Sequence, residues 1–395
     1  MQITVEKSHL IAAMKHVCRA VGRRSKLPIL DYARIVTGTG SVTIEGTNYE
    51  LTNIQTIAAD VAAHGSALVD AHQLANILSK LPKATTLVTL TLERESWVTN
   101  DKDGIREWQF DDVTLDAGKL SLKLTSCNYC DVDYPDFKAP GDVIGSFSIE
   151  SDRMLDMIDR VKIAVSSEET RYYLCGINLE MFKGNILRMV ASDGHRLIRC
   201  DRQVSETSGA LFGSAGFGTP PSVILPSGCI KTLVYALKEH DGSDDVECTI
   251  CASRVTIKIG QRTIVTKLID GSFPDYVRVI PQNADVMATL DRAEVSDIVS
   301  RFAAISERGR AIRITANGIV SLSFKDDKLS GTEAVTGATS NGEWEISCNG
   351  NYLAELSKAI KSDRITISFS DVGSPMLIQG SDEHRDMTVL MPIRV

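Results

Sequence analysis

The sequence predicts an α+β protein of three similar domains, in each of which two helices pack on antiparallel sheet. Its 395 residues exceed the length of a typical single domain. A unit made of a short β-like run, a polar break and an amphipathic helical stretch recurs six times, which indicates an internal repeat. Apolar and polar residues alternate between these units, as is typical of half-buried strands. Apolar residues make up 43% of the chain, enough to form separate cores.

The helical part of the repeat shows a regular apolar spacing. In each copy an apolar residue follows a fixed anchor by five positions, and a second follows three positions later, so both lie on one helix face that is predicted to be buried. Asp, Ser, Pro or Asn near each start suits a helix N-cap or first turn. The helical windows are 6–21, 70–84, 150–165, 226–240, 291–308 and 349–362. The predicted buried residues are Leu10, Ala13, Leu74, Ile77, Met154, Met157, Ile230, Leu233, Val295, Ile298, Leu353 and Leu356.

The segments between the helices predict strands and domain boundaries. Stretches such as TTLVTLTLE, RVTIKIGQRTIVTKLI and RITISFS alternate in polarity and end in turn residues. Connectors rich in Pro and Asp, DFKAPGDV at 136–143 and VIPQNADV at 279–286, separate successive pairs of units. We therefore expect domains at 1–140, 141–281 and 282–395.

The distribution of charge bears on the partners of the chain. The net charge of −8 taken alone counts against a nucleic-acid partner. The six helical windows, however, hold 15 Lys and Arg against 12 Asp and Glu, a net of +3, and the remaining sequence carries −11. Mixed charge is common on solvated helix faces. Mildly basic helices in an otherwise acidic chain are nevertheless the pattern expected if the helices face a polyanion such as DNA.

Composition also predicts the compartment and the absence of cofactors. No apolar run approaches the roughly 18 residues of a membrane span, and the N-terminus lacks signal-peptide features, so we expect a cytoplasmic protein with no membrane partner. Two CxxC pairs, Cys127 with Cys130 and Cys248 with Cys251, raise the alternative of a zinc site. The second pair lies on a predicted strand, where residues three apart point to opposite faces. We expect reduced cysteines, no metal and no cofactor.

The stretch ASDGHRL at 191–197 contains the residue types of a hydrolase active site. Ser192, Asp193 and His195 are nearly adjacent, whereas the members of known catalytic triads converge from distant segments. Asp-Gly instead favours a hairpin turn with a positive φ. The chain contains no Gly-x-Ser-x-Gly elbow and no Walker loop. We therefore expect no catalytic residues, and a hydrolase is the minor alternative.

Five stretches together resemble the bacterial sliding clamp, the β subunit of DNA polymerase III. The matching stretches are GRRSKLPIL (22–30), RYYLCGI (171–177), ASDGHRL (191–197), KLIDGSFPDYVRVIP (267–281) and VLMPIRV (389–395). They occur in the family's order, and the sixfold repeat is also a family property. The resemblance implies a head-to-tail homodimer that forms a closed ring of six clamp-type domains, with helices lining the hole and the first domain of one chain joined to the third of the other. It also implies a non-catalytic processivity factor that encircles double-stranded DNA of any sequence.

The resemblance implies a hydrophobic cleft that binds partner peptides beside the C-terminal tail. The implied partners are the DNA polymerase III alpha subunit, the clamp loader and other clamp-binding proteins. Met in the apolar tail suits a surface that accepts several partners, and Pro274 and Pro392 would stiffen the cleft. We expect Arg196, Arg278 and Arg394 to position peptide backbone or carboxylates. The cleft residues implied are Leu174, Ser192, Gly194, His195, Arg196, Leu197, Pro274, Arg278, Val279, Val389, Leu390, Met391, Pro392, Ile393, Arg394 and Val395.

The resemblance also implies five DNA-facing positions. Arg24 would pair with phosphate, and Tyr172 and Tyr173 would lie along the sugar–phosphate backbone. Core packing is the alternative for the two tyrosines. His72 stands where the family typically has a basic residue, and Glu168 where a neutral amide is usual, and both changes weaken attraction to DNA. This departure leaves open a second function, a peptide-binding adaptor of clamp fold that does not encircle DNA.

Overall fold

The chain forms two compact units. The first comprises Met1–Ser151 with Lys231–Leu268, and the second comprises Asp152–Ile230 with Ile269–Val395. The computed structural model describes residues 1–92, 95–99, 106–110, 113–124, 133–136, 142–208, 222–240, 242, 244–282, 284–305, 311–325, 329–380 and 386–393. No helix among these residues is both long and apolar enough to span a membrane.

The helices of the described residues occupy the six predicted windows. They are α1 (Lys7–Val17), α2 (Ala71–Lys80), α3 (Ser151–Val161), α4 (Ser227–Lys238), α5 (Arg292–Ile305) and α6 (Gly350–Ala359). Each helix begins one residue after the start of its window. Asp70, Asp291 and Asn349 each accept a hydrogen bond from a first-turn backbone N–H of α2, α5 and α6, respectively. The polar residues of the repeat therefore act as N-caps at these three helices, as predicted.

The strands are short and all their pairings are antiparallel. In chain order they are β1 (Gln2–Glu6), β2 (Tyr32–Thr37), β3 (Ser41–Thr47), β4 (Leu51–Ala58), β5 (Asp60–Ala63), β6 (Ser66–Asp70), β7 (Leu87–Leu92), β8 (Glu95–Thr99), β9 (Arg106–Phe110), β10 (Val113–Ala117), β11 (Leu120–Leu124), β12 (Val143–Glu150), β13 (Gly176–Phe182), β14 (Ile186–Ser192), β15 (Arg196–Gln203), β16 (Ser205–Ser208), β17 (Ser222–Pro226), β18 (Asp245–Cys251), β19 (Arg254–Ile259), β20 (Arg262–Lys267), β21 (Val286–Asp291), β22 (Ala311–Asn317), β23 (Ile319–Lys325), β24 (Ser330–Ala334), β25 (Thr339–Ser340), β26 (Trp344–Asn349), β27 (Arg364–Phe369), β28 (Met376–Gly380) and β29 (Met387–Leu390).

The first unit contains two large sheets against which helices pack. One sheet has the order β11-β10-β7-β1-β5, and the other runs β12-β18-β19-β20-β4-β3-β2-β6. Helices α1 and α2 pack side by side, and Leu10, Leu74 and Leu78 join strand residues such as Ile3 and Leu90 in one fully buried cluster. The repeated apolar spacing therefore builds the core, as predicted for a helix with one buried face.

The second unit repeats this arrangement. Its larger sheet has the order β17-β13-β14-β15-β29-β28-β27-β21-β25, and its smaller sheet β24-β23-β22-β26. Helix α5 packs on α6, and Val295, Ile298, Leu353 and Leu356 are buried. The pairing of β15 with β29 places the 191–197 hairpin directly beside the C-terminal strand, although the two are distant in sequence.

One residue of the predicted helix faces is not fully buried. Ile77 packs against the core cluster of the first unit but is only partly buried, and the neighbouring Leu78 is buried instead. The buried face of α2 consists of Ala71, Leu74 and Leu78, a spacing of three and four residues. The helix is therefore rotated slightly from the predicted face, because three-residue and four-residue steps are equally compatible with one buried stripe.

The structure describes only the second of the two CxxC pairs. Cys127 and Cys130 lie outside the described residues. Cys248 and Cys251 are both buried on β18. Within the part of the chain that the structure describes, no cluster of three or more His, Cys, Asp or Glu side chains is arranged to hold a metal ion.

A buried histidine predicts how the stability of the first unit depends on pH. His16 lies on the inner face of α1, where burial, followed by the positive charges of Arg262 and Arg19, lowers its pKa to about 3. Between pH 6.5 and 3 the unfolded chain therefore binds a proton that the folded chain does not, so stability falls as the pH falls through this window. Acidification from pH 7 to pH 5 should cost about 2 kcal/mol of unfolding free energy through this residue alone.

Urea unfolding of the full chain at both pH values measures this effect. The variant His16→Leu should lose about 2 kcal/mol of the acid sensitivity, because its side chain does not titrate. His9, an exposed histidine on the same helix, provides the matched control His9→Leu, which should retain the acid sensitivity. Equal pH dependence in the wild type and His16→Leu would show that the imidazole is not the group responsible.

Candidate functional site

A cleft of about 280 Å³ lies within the second unit. Three chain segments form it: the turn and hairpin from 171 to 197, the loop from 273 to 279, and the C-terminal strand. Its lining residues are Arg171, Tyr173, Leu174, Ser192, Gly194, Arg196, Leu197, Phe273, Pro274, Asp275, Tyr276, Val279, Val389 and Met391. The lining is mainly apolar and includes three charged residues, Arg171, Arg196 and Asp275, a combination typical of a ligand-binding site.

The 191–197 segment is a hairpin turn whose polar side chains bond to its own backbone. Ser192 Oγ donates to the carbonyl oxygen of Arg196 at 2.8 Å and accepts from the Gly194 N–H at 3.1 Å. Asp193 Oδ1 accepts from the N–H groups of His195 and Arg196, each at 2.9 Å. The His195 ring stacks on Tyr352, with ring centroids 6.1 Å apart. Ser192 and Asp193 therefore stabilise the turn, and these bonds leave no Ser-His-Asp relay.

Gly194 adopts the backbone conformation that the Asp-Gly pair predicts. Its φ is +87°, in the left-handed region that disfavours other residues. A Cβ at this position would lie 2.5 Å from Nη1 of Arg171. Glycine therefore permits both the turn and the close approach of the Arg171 side chain to the cleft.

Arg196 holds the hairpin to helix α6. Its Nε donates to Asp193 Oδ2 at 3.0 Å and its Nη1 to Glu355 Oε2 at 2.5 Å. The guanidinium also lies over the Tyr352 ring, 4.4 Å from the centroid. Only 9% of the side chain is exposed, so these contacts hold a largely buried guanidinium.

A buried hydrogen-bond network at Tyr276 anchors the loop from 273 to 279. Tyr276 is buried and its hydroxyl donates to Glu180 Oε2 at 2.7 Å. Arg188 donates to the same hydroxyl at 3.3 Å and forms a bidentate pair with Asp201. Burial raises the pKa of Glu180 above its usual value. This buried polar network fixes the position of the aromatic wall, where Phe273 packs edge-on against Tyr276.

The C-terminal strand closes the cleft. Leu197 pairs with Val389 and Arg196 with Leu390 across the ladder of β15 and β29. The Met391 N–H then donates to the His195 carbonyl oxygen at 2.8 Å. Val389 and Met391 line the cleft, while the completely buried Leu390 belongs to the core.

The structure brings together nine of the predicted cleft residues as lining residues. These are Leu174, Ser192, Gly194, Arg196, Leu197, Pro274, Val279, Val389 and Met391. The predicted residues that are not in the lining are His195, which stacks on Tyr352, Arg278, Leu390, Pro392 and Ile393. Arg278 points outward with 83% of its side chain exposed and pairs with Asp275, and Pro392 pairs with Cys348. Arg394 and Val395 lie outside the described residues.

Several lining residues were absent from the predicted cleft. They are Arg171, Phe273, Asp275 and Tyr276, together with Tyr173, which was predicted to face DNA. All five lie within the stretches RYYLCGI and KLIDGSFPDYVRVIP that carried the resemblance. Their presence in those motifs was the available signal, but their side-chain directions required the structure.

Comparison with known protein families identifies the family to which this chain belongs. Models of the DNA polymerase III beta subunit match three successive parts of the chain: the N-terminal domain at residues 1–119, the central domain at 148–275 and the C-terminal domain at 277–394. This chain belongs to the bacterial beta sliding clamp family. It therefore has three clamp domains and, as a member of this family, is a non-catalytic subunit.

Individual relatives cover the whole length of this clamp. The beta sliding clamps of Pseudomonas aeruginosa and Caulobacter vibrioides are each 28% identical to it, over 400 and 402 residues, with 100% of both chains covered. Among solved structures, the sliding clamp of Bartonella birtlesii bound to griselimycin superposes with a TM-score of 0.86 at 29% identity, again over 100% of both chains. The Pseudomonas aeruginosa beta subunit superposes with a TM-score of 0.85 at 27% identity.

In the first unit of the clamp, two predicted DNA-facing residues belong to one local structure. Arg24 is exposed and has a φ of +57°, an uncommon conformation for a residue with a side chain. His72 Nε2 lies 3.2 Å from the Val21 carbonyl oxygen and 3.0 Å from that of Gly22. Because both partners are acceptors, Nε2 must carry the proton. His72 thus holds the backbone that leads to Arg24.

In the second unit, Glu168, Tyr172 and Tyr173 lie on the turn that leads into the cleft. Tyr172 is 52% exposed, so core packing does not account for it. Tyr173 packs edge-on against Tyr172, with centroids 5.6 Å apart, and is partly buried against the cleft. Glu168 is exposed and accepts two hydrogen bonds from Arg171. The three residues therefore occupy one continuous surface with the cleft rim.

Proposed function

We propose that this chain is a DNA polymerase processivity factor. Two chains would close head to tail into a ring of six domains around double-stranded DNA, without sequence preference. The observation that carries the proposal is the apolar cleft beside the C-terminal strand in a chain that belongs throughout to the beta sliding clamp family. A closed ring retains a tethered polymerase by topology, so that strong or specific contacts with DNA are unnecessary.

The sheet edges support the proposed dimer. Among the described residues, β11 of the first unit and β24 of the second are terminal strands of their sheets. Exposed edge strands present unpaired N–H and C=O groups that readily pair with another chain. Pairing the first domain of one chain with the third domain of its partner would cover such edges. We propose domain boundaries at 1–140, 141–281 and 282–395; the family models match 1–119, 148–275 and 277–394.

The cleft would bind short peptide segments of partner proteins. Leu174, Leu197 and Val389 offer apolar contact, and Met391 can adapt to different side chains. We propose the DNA polymerase III alpha subunit, the clamp loader and other clamp-binding proteins as partners, with cytoplasmic location. The C-terminal segment contributes Val389 and Met391 directly to this site, so peptide binding depends on an intact C-terminal segment.

The adaptor alternative is favoured by one specific observation. Glu168 places an exposed carboxylate on the predicted DNA-facing surface and pairs with Arg171, so the pair has no net charge with which to attract phosphate. An adaptor would keep the cleft and bind peptides but would not be retained on DNA. Ring closure therefore separates the two functions.

Retention on circular DNA tests the ring. The full chain, loaded by a clamp loader onto nicked circular DNA, should stay bound through gel filtration and dissociate after the circle is linearised. The same DNA linearised before loading is the control. Dissociation from intact circles, with peptide binding preserved, would contradict the ring and support the adaptor.

A further inference from the structure

Two arginines line the cleft, and they differ in exposure and in the number of carboxylates that bind them. Arg196 is 9% exposed and is already bound by the carboxylates of Asp193 and Glu355. Arg171 is 37% exposed and its hydrogen bonds run to a single carboxylate, that of Glu168. Of the two, Arg171 is the cation that a ligand can reach without dismantling a buried pair.

The carboxylate that binds Arg171 belongs to Glu168, and hydrogen bonds with neighbouring residues fix its position. Nε of Arg171 donates to Glu168 Oε2 at 2.8 Å, and Nη2 donates to the same oxygen. The other carboxylate oxygen accepts from the Thr170 hydroxyl at 2.8 Å. The Glu168 N–H in turn donates to Ser166 Oγ at 3.1 Å. The Arg171 hydrogen bonds lower the pKa of Glu168, so the pair is charged at neutral pH.

The position of the pair connects it to the cleft. Arg171 lines the cleft and reaches over Gly194, where the missing Cβ leaves room for its guanidinium. The remaining charged lining residue, Asp275, pairs with Arg278 on the loop opposite. Among the residues that line the cleft, Arg171 is therefore the accessible cation for an acidic ligand group, whereas Asp275 contributes a carboxylate.

We propose that Glu168 acts as an internal competitor for Arg171 and thereby sets how strongly the cleft prefers acidic over neutral peptides. A peptide carboxylate that reaches Arg171 must first displace the Glu168 carboxylate. The pair is exposed and therefore weak, so the exchange is feasible and its effect modest. This inference rests on the proposed peptide-binding function of the cleft and assigns a specificity-determining role to a residue otherwise expected to face DNA.

Fluorescence anisotropy with paired peptides tests the inference. The probes are labelled apolar pentapeptides that each contain one Asp, placed at a different position in each peptide. For every Asp peptide, a control peptide carries Asn at the same position. For at least one position, Glu168→Gln should raise the ratio of Asp-peptide to Asn-peptide affinity by about two- to fivefold. The gain should disappear in 1 M NaCl, where the Debye length is about 3 Å.

Matched variants separate this effect from a general change in charge. Glu169→Gln removes the same charge one residue away, from a side chain that is exposed and is not the hydrogen-bond partner of Arg171, and should leave the ratio unchanged. Arg171→Gln should remove the preference for Asp both alone and combined with Glu168→Gln. An equal gain from Glu168→Gln and Glu169→Gln, or one that survives Arg171→Gln, would overturn the inference while neutral peptides still bind. If neutral peptides fail to bind the wild type, the proposed function itself fails.

Discussion

Met391→Ala is expected to weaken binding of an apolar peptide to the cleft by at least about tenfold, equivalent to about 1.4 kcal/mol. Met391 lines the cleft next to Val389, and its N–H is fixed to the His195 carbonyl oxygen. The substitution removes the flexible apolar side chain but keeps this backbone hydrogen bond. Anisotropy titration of the full chain with a labelled apolar peptide gives the two dissociation constants.

Removal of residues 391–395 should abolish peptide binding altogether. The deletion removes Met391 and the N–H of Ile393, which donates to the Ser347 carbonyl oxygen at 2.8 Å. Circular dichroism of the truncated chain establishes that it is folded. Met287, an exposed methionine on β21 of the same unit, provides the control Met287→Ala, which should bind peptide normally. Undiminished binding by both Met391→Ala and the truncated chain would place the peptide site elsewhere.

Asp386→Ala is expected to destabilise the second unit by about 2 to 4 kcal/mol. Asp386 is shared by two arginines: Arg202 donates to it through both terminal nitrogens at 2.6 and 2.9 Å, and Arg160 Nη1 lies 3.0 Å away. The side chains of Arg160 and Asp386 are only 8% and 9% exposed. Without this carboxylate the two arginines must share Asp156, which Arg160 and Arg202 also contact at 3.2 and 3.0 Å, so part of their buried positive charge is no longer balanced. Thermal unfolding should show a Tm lower by about 10 °C.

An exposed member of the same network is the control for this prediction. Lys361 Nζ pairs with Asp156 at 2.5 Å, but 68% of the lysine side chain is exposed. Solvent screening makes such a pair worth at most about 1 kcal/mol, so Lys361→Ala should barely change the Tm. If Asp386→Ala and Lys361→Ala have equally small effects, the Asp386 cluster does not stabilise the unit as proposed.

The sequence predicted the chain segments that form the cleft more accurately than the side chains that line it. The motifs located the hairpin, the proline loop and the C-terminal strand that form the cleft. They did not distinguish Arg171, which lines the cleft, from Arg278, which points into solvent. The two arginines lie in equally recognisable motifs, and the direction of a long side chain depends on which carboxylate it meets in the folded chain.

Two of the predicted DNA-facing residues make contacts that the sequence does not reveal. The sequence shows His72 only as a loss of positive charge, whereas in the structure its imidazole also holds the carbonyl groups of Val21 and Gly22. The sequence predicts only repulsion of DNA by Glu168, whereas in the structure its carboxylate accepts hydrogen bonds from Arg171. Neither contact follows from residue type or spacing.

The sequence by itself determined the fold class, the positions of the six helices and the glycine turn at Gly194. These features follow from local rules, because helix periodicity, N-cap chemistry and a positive φ act over a few neighbouring residues. Only the tertiary structure decided which charged groups meet. Arg196 with Glu355 and Arg202 with Asp386 are separated by 159 and 184 residues, and such contacts arise only when β15 and β29 pair. Long-range pairing is set by the packing of whole sheets, which no local pattern specifies.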